Sequence, residues 1–571
     1  MITRVLTAAA MMLLGTALMV PVSAQTVAGS YLAGRHAAVN SDYREAARYY
    51  QNALAHDPAN VELLESTVLA LLSLGKVDRA APLARILQER SANSQVARMV
   101  ITAENANKED YRAILAQASD TTGIGPWVDG LIKAWSQVGA GDVTAAMAAF
   151  DTLAEEAGLQ GFVRYHRALA LASVGDYEGA EAIFATAAAG AAGQTRRGVM
   201  AHAEVLAQLE RHEDALTVLQ ASFGDATDPE LDRMIARLEA KEAVAFTHAP
   251  DAKAGIAEIY FTFAAVLNAE DAGDYYVLLY ARAARYLRPD HIDALLLTAE
   301  LLEDLGQNDL ASLEYKQVPA DNPAFHVAEL GRAGALRAAD KEAQAVEVLE
   351  QLARTHGDLA VVHSTLGDVL RGAESYGPAI EAYDRALGLA AENAPVRWVL
   401  YYSRGIAHER SGNELEMEAD FRAALALRPE QPQVLNYLGY SMVEQKRNLD
   451  EALDMIERAV AASPDSGYIV DSLGWVLYRL GRYEEAVVHM ERAVELLPAD
   501  PVVNDHLGDV YWAVGRAREA EFQWRRALSF LDNEDASPDV QPERIRRKLE
   551  IGLDAVLNEE GAPPLQVAEE L

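Results

Sequence analysis

The chain carries 13 histidines and 86 acidic side chains, an ample stock of general acids, bases and ligands. Their spacing does not assemble a reaction centre. His212-Glu213 and His408-Glu409 start as a zinc-protease helix would, but neither has a second histidine four residues after the first. The two imidazoles that should share one helix face are therefore missing. No glycine-rich loop ends in Gly-Lys-Ser/Thr, and no Gly-x-Ser-x-Gly elbow presents a serine. Glu484-Glu485 and Glu559-Glu560 are chain neighbours, which suits solvated faces better than a general acid facing a base. With no cysteine at all, disulfides, thiolate metal sites and thiol nucleophiles are excluded. The expectation is a protein that is not an enzyme, with no catalytic, cofactor-binding or metal-binding residues.

The residues that do recur in a pattern are small and aromatic. Leu-Gly pairs stand at Leu366-Gly367, Leu438-Gly439, Leu473-Gly474 and Leu507-Gly508, and Gly405 fits the same slot. Alanines follow at Ala379, Ala452, Ala486 and Ala520, then large residues at Tyr383, Ile456, Met490 and Trp524. Pro429, Pro464 and Pro498 close the units. The period is about 34 residues, that of the tetratricopeptide repeat. Each unit is then two antiparallel helices. Small side chains sit where the helices cross, the large residue fills the groove between units, and proline stops the second helix because it lacks an amide donor. Fainter copies run from residue 27 to 229, and 95–126 reads as a worn copy. Unrelated amphipathic helices would not keep glycine, alanine and proline in one register.

In such a stack the first helix of each unit lines the concave side, through motif positions 2, 5, 9, 12 and 13. Those slots hold Tyr402 and Arg410, then Asn436 and Tyr440. Next come Asp471, Trp475, Tyr478 and Arg479, and finally Asp505, Asp509 and Trp512. Aromatic side chains rimmed by Asn, Asp and Arg are what a protein- or peptide-binding groove uses. The rival is that Trp475 and Trp512 pack between helices as ordinary core, since large aromatics are costly to expose.

The motif set is identified as tetratricopeptide. Leu435 to Tyr440, Tyr468 to Tyr478 and Asp505 to Asp509 also resemble one lineage of proteobacterial envelope repeat proteins, over about residues 255–534. That lineage includes a lipoprotein adaptor that presents substrates to a carboxyl-terminal processing protease. The resemblance implies such a protease as a partner. It does not carry over lipid anchoring, because no cysteine is present to acylate.

The net charge of -36 repels phosphate backbones and anionic membranes, so nucleic acid is not expected as a partner. The acidity serves solubility or attracts basic partners. At the N-terminus, Arg4, the apolar stretch Val5 to Val20 and Pro21-Val22-Ser23-Ala24-Gln25 follow the pattern of a signal peptide cut after Ala24. The stretch is shorter than the roughly 20 residues that a retained anchor needs. A periplasmic location follows as the expectation.

The expected fold is all-α, a right-handed superhelical solenoid with room for two arms. The expected divisions are a signal peptide (1–24), an N-terminal arm (25–229), an irregular linker or hinge (230–257), a C-terminal arm (258–534), and a capping helix with an acidic tail (535–571). The expected function is a non-catalytic periplasmic scaffold or adaptor that binds proteins or peptides in its groove and assists an envelope protease or envelope assembly. Two alternatives stay open. One is an envelope enzyme subunit with a site in the groove. The other is a self-associating structural protein, which a capping helix over Gln541 to Leu557 should hold in check.

Overall fold

The computed structural model describes residues 27–563 and 565, apart from 92, 118–122, 157, 159, 187–194, 225–228 and 532–539. The proposed signal peptide and nearly all of the acidic tail lie outside the described residues. Those residues fold as α-helices joined by turns, with no strand among them. No described helix is long and apolar enough to cross a membrane. The chain divides into two compact units, one ending at Val348 and one beginning at Leu349.

Each unit is a stack of antiparallel helix pairs. The register of small and large residues has a direct steric cause. A Cβ on Gly474 would stand 2.7 Å from Met490, one on Gly405 2.6 Å from Phe421, and one on Gly439 2.8 Å from Ile456. The large residue of each second helix therefore lies over the glycine of its own first helix rather than between units. Ala379, Ala452, Ala486 and Ala520 are wholly buried at the same crossings. Burying each such large side chain contributes about 1.5–3 kcal/mol. The turn between paired helices needs one residue in the left-handed region. Gly481 supplies it at φ +77°, and the amide of Arg482 then donates to the Leu477 carbonyl at 2.9 Å, closing the helix end.

The first unit departs from a plain stack. Helix Ala252–Ala269 is apolar almost all round, and such a helix must be buried. With helix Asp274–Leu287 it lies against the first helices of four earlier pairs, Val61–Ser73, Gln95–Asn107, Pro126–Gly139 and Gln160–Ser173. The face those helices share is thereby filled by the unit's own chain. Gly255 leaves room there for the ring of Trp135. The Arg282 guanidinium donates to the Ser73 carbonyl at 2.9 Å.

At the centre of this packing Glu258 is fully buried. It accepts from Arg197 at 2.9 and 2.7 Å, from the Tyr165 hydroxyl at 2.8 Å and from His291 at 3.3 Å. Burial pushes its carboxyl up, but Arg197 and His291 outweigh that and hold it well below the usual carboxylate range.

The segment 230–257 is not a linker between compact units. It carries most of helix Pro229–Glu239 and the start of helix Ala252–Ala269. Its middle is tied down by Glu204, which accepts from the Thr247 amide at 2.8 Å and from the Thr247 hydroxyl at 2.6 Å. The division between compact units falls about 90 residues later, inside helix Glu342–Thr355.

Arg197→Met leaves Glu258 charged and unpaired in the interior, which should cost about 3–5 kcal/mol. Amide hydrogen exchange should accelerate in helices Arg196–Gln208 and Ala252–Ala269. Removing the exposed Arg48–Glu45 pair by Arg48→Met should leave exchange unchanged.

Candidate partner-binding groove

In the second unit the first helices of successive pairs are Arg397–Arg410, Pro432–Glu444, Gly467–Arg479 and Pro501–Ala513. Together they line a cavity of about 510 Å³. Its walls hold Arg410, Asn436, Tyr440 and Asp471 from the expected groove set, together with Tyr437, Tyr468, Glu409 and Asp500. Asp500 caps its helix, accepting from the Val503 amide at 3.0 Å ahead of Pro501 in the first helical turn. Tyr468 is 59% exposed, which makes it an available aromatic contact.

The remaining expected residues lie elsewhere. Tyr402 is half-buried among the rings of Trp398, Phe421 and Tyr437, at 6.5, 6.1 and 5.7 Å. Burial pushes its hydroxyl up. Trp475 is buried, stacked on Tyr478 at 4.9 Å and on His506 at 4.0 Å, and its indole donates to Glu444 at 2.8 Å. Arg479 is half-buried outside the cavity walls. For Trp475 the core alternative is therefore the one the structure adopts, and Tyr478, expected in the groove, is buried with it.

Asp505, Asp509 and Trp512 are covered by the end of the chain. Helix Pro542–Ile551 packs beside the last repeat. It inserts Lys548, whose side chain is 0% exposed, against Asp505 at 2.7 Å and against Asp509. The Lys548 ammonium also lies 5.5 Å from the centre of the Trp524 ring, while the Trp524 indole donates to Asp509 at 2.9 Å. The expected single helix over Gln541 to Leu557 is two. Gly552, at φ +81°, separates Pro542–Ile551 from Leu553–Glu559. It sits there against Trp512, whose indole donates to Asp554 at 2.9 Å.

His506 joins the buried cluster to the cavity wall, with Nδ1 3.0 Å from Asp471. Burial pushes its imidazole down, but Asp471, with Asp505 and Asp509, more than reverses this, so it titrates above the ordinary 6.5.

Some lining residues could have been found from sequence. Gln433, Tyr468 and Val502 occupy motif position 2, one of the inward-facing slots. Tyr437, at position 6, gave no such signal. Among the described residues no cluster of His, Asp and Glu is arranged to hold a metal ion.

Comparison with known proteins agrees with this architecture. The tetratricopeptide repeat profile matches residues 31–94, 418–467 and 444–501. Residues 31–94 and 418–501 are thus tetratricopeptide repeats. A curated relative, the TPR repeat-containing protein PA4667 of Pseudomonas aeruginosa, is 28% identical over 183 residues. The match covers 32% of this chain and 30% of that protein, so the two are related over less than a third of the relative's length. Among solved structures, the Cut9–Hcn1 hetero-tetramer of the APC/C is 15% identical, with a TM-score of 0.38 over 91% of this chain and 96% of that one. YrrB, described as a TPR protein with an unusual peptide-binding site, is 20% identical, with a TM-score of 0.27 over 33% of this chain and 95% of its own. Tetratricopeptide-repeat proteins typically act as non-catalytic scaffolds that bind proteins or peptides.

Lys548→Met should destabilise the second unit by about 3–5 kcal/mol, because it removes the cation that Asp505 and Asp509 share and leaves only Arg544, 3.5 Å from Asp509. Chemical denaturation measures this. A second outcome concerns pH. Because the folded pKa of His506 is raised, its contribution is fully present below the unfolded value of 6.5 and is lost as pH rises through the folded value. Wild-type stability should fall across that window, and His506→Gln should flatten the profile.

Proposed function

We propose that this protein is a non-catalytic scaffold that holds a protein or peptide partner in the cavity on the first-helix face of its second unit. The observation that carries the reading is the cavity itself. Three consecutive repeats place Arg410, Asn436, Tyr440, Tyr468 and Asp471 around about 510 Å³ of accessible space. Rigid aromatic rings beside hydrogen-bonding groups give contact area at low entropy cost. The corresponding face of the first unit is filled by helices Ala252–Ala269 and Asp274–Leu287, which argues for the second unit as the partner site.

The export signal read at residues 1–24 supports a periplasmic setting. The resemblance of residues 255–534 to envelope repeat proteins supports a carboxyl-terminal processing protease as the first partner to test. The scaffold would hold the protease or its substrate, with no chemistry of its own.

The test is co-purification of the chain with a purified processing protease from the same organism, beside an Asn436→Ala, Tyr440→Ala double variant. Retention should drop at least about tenfold in the variant, equivalent to some 1.4 kcal/mol of binding. Equal retention of both forms would place the partner elsewhere on the chain. No retention of either would remove the protease from the reading.

A further inference from the structure

We propose that the cavity of the second unit selects a cationic segment of its partner, a helix carrying Lys or Arg side chains on one face. This rests on the partner-binding reading above and specifies the partner's chemistry.

One slot, three residues before the repeat glycine, recurs in three consecutive repeats as Asn436, Asp471 and Asp505. At Asp505 the slot is filled by the chain itself, with the Lys548 ammonium at 2.7 Å. At Asp471 it is filled by His506 from the next repeat, at 3.0 Å. At Asn436 the pattern stops. The next helix offers Ser472 in the position corresponding to His506, and the Ser472 hydroxyl turns back to the Tyr468 carbonyl at 2.9 Å. The Asn436 side-chain oxygen is left buried with no hydrogen-bond partner. It belongs to the open cavity. An acceptor left unsatisfied costs free energy that an arriving donor recovers.

The occupant of the last slot shows what this face accepts. Helix Pro542–Ile551 brings Arg544 and Lys548 to Asp509 at 3.5 Å and to Asp505 at 2.7 Å. These two cations are four residues apart, on one helical face. The open cavity repeats the complementary chemistry. Glu409, Asp471 and Asp500 stand with Tyr437, Tyr440 and Tyr468, and Arg410 is the one Lys or Arg in its lining. The net charge of -36 draws a basic segment toward this face from a distance. The partner segment would seat as the chain's own terminal helix does, one to two repeats earlier.

The test uses the full chain and three fluorescent peptides. The first has the sequence of residues Gln541–Leu557. In the second and third, the residues corresponding to Arg544, Arg546, Arg547 and Lys548 are replaced by Gln and by Glu. Binding is followed by anisotropy against wild type, Tyr440→Lys and Tyr468→Lys; the exposure of Tyr468 protects the last from misfolding. The cationic peptide should bind wild type at least about tenfold tighter than the Gln form, with the Glu form weaker still and a fall in affinity as salt rises. Both lysine variants should weaken the cationic peptide by a similar factor. Binding of the Gln or Glu peptides as tight as the cationic one, lost in the variants, would overturn charge selection and leave the partner-binding reading standing. Cationic binding indifferent to both variants would overturn the site, pointing to exchange with the terminal helix. If no peptide binds, charge selection falls, and the partner-binding reading is decided separately by the co-purification test.

Discussion

Every repeat of the second unit depends on one steric exchange, in which a first helix gives up a side chain so that the second can lay a large one across it. Glycine is required at 405, 439 and 474 because a single methyl group there would overlap Phe421, Ile456 and Met490. The exchange sets the distance between paired helices and, repeated along the chain, aligns the first helices side by side. The cavity exists because that alignment brings residues from four successive repeats to one surface. No individual repeat contains it.

The two units use the same pairs for different ends. In the first, the face shared by the first helices is filled by an apolar helix pair, and charged groups drawn inside are neutralised around Glu258. In the second, filling is confined to the C-terminal end, where Lys548 closes over Asp505 and Asp509. A buried ion pair of this kind adds little net stability compared with apolar packing, but it holds the helix where one ammonium meets both carboxylates. It therefore fixes where the closed part ends and the open cavity begins.

The repeat architecture was legible because its signal is steric and local. A glycine, an alanine and a large residue at constant spacing leave few other structures, so the pairs from 360 to 534 could be drawn before any coordinates. Groove membership was only half legible. Arg410, Asn436, Tyr440 and Asp471 fell where motif position put them. Trp475 and Asp509 occupy equally correct slots yet are buried, because what covers them comes from His506 and from helix Pro542–Ile551. Motif position predicts the direction of a side chain, not what arrives to meet it. The segment 230–257 misled for a similar reason. Its Ala249-Pro250-Asp251 reads as a break, and it is one, but the apolar helix that follows is held by contacts with residues far earlier in the chain.

From sequence alone came the all-α repeat fold, the register of its helix pairs and the absence of recognised catalytic motifs. All of these follow from residue type and short-range spacing. Tertiary structure alone decided where the chain divides, which first-helix face is filled by the chain itself, and which slots remain open. Those depend on contacts between residues tens to more than two hundred positions apart, such as Arg282 with Ser73, and no local pattern encodes a pairing at that range.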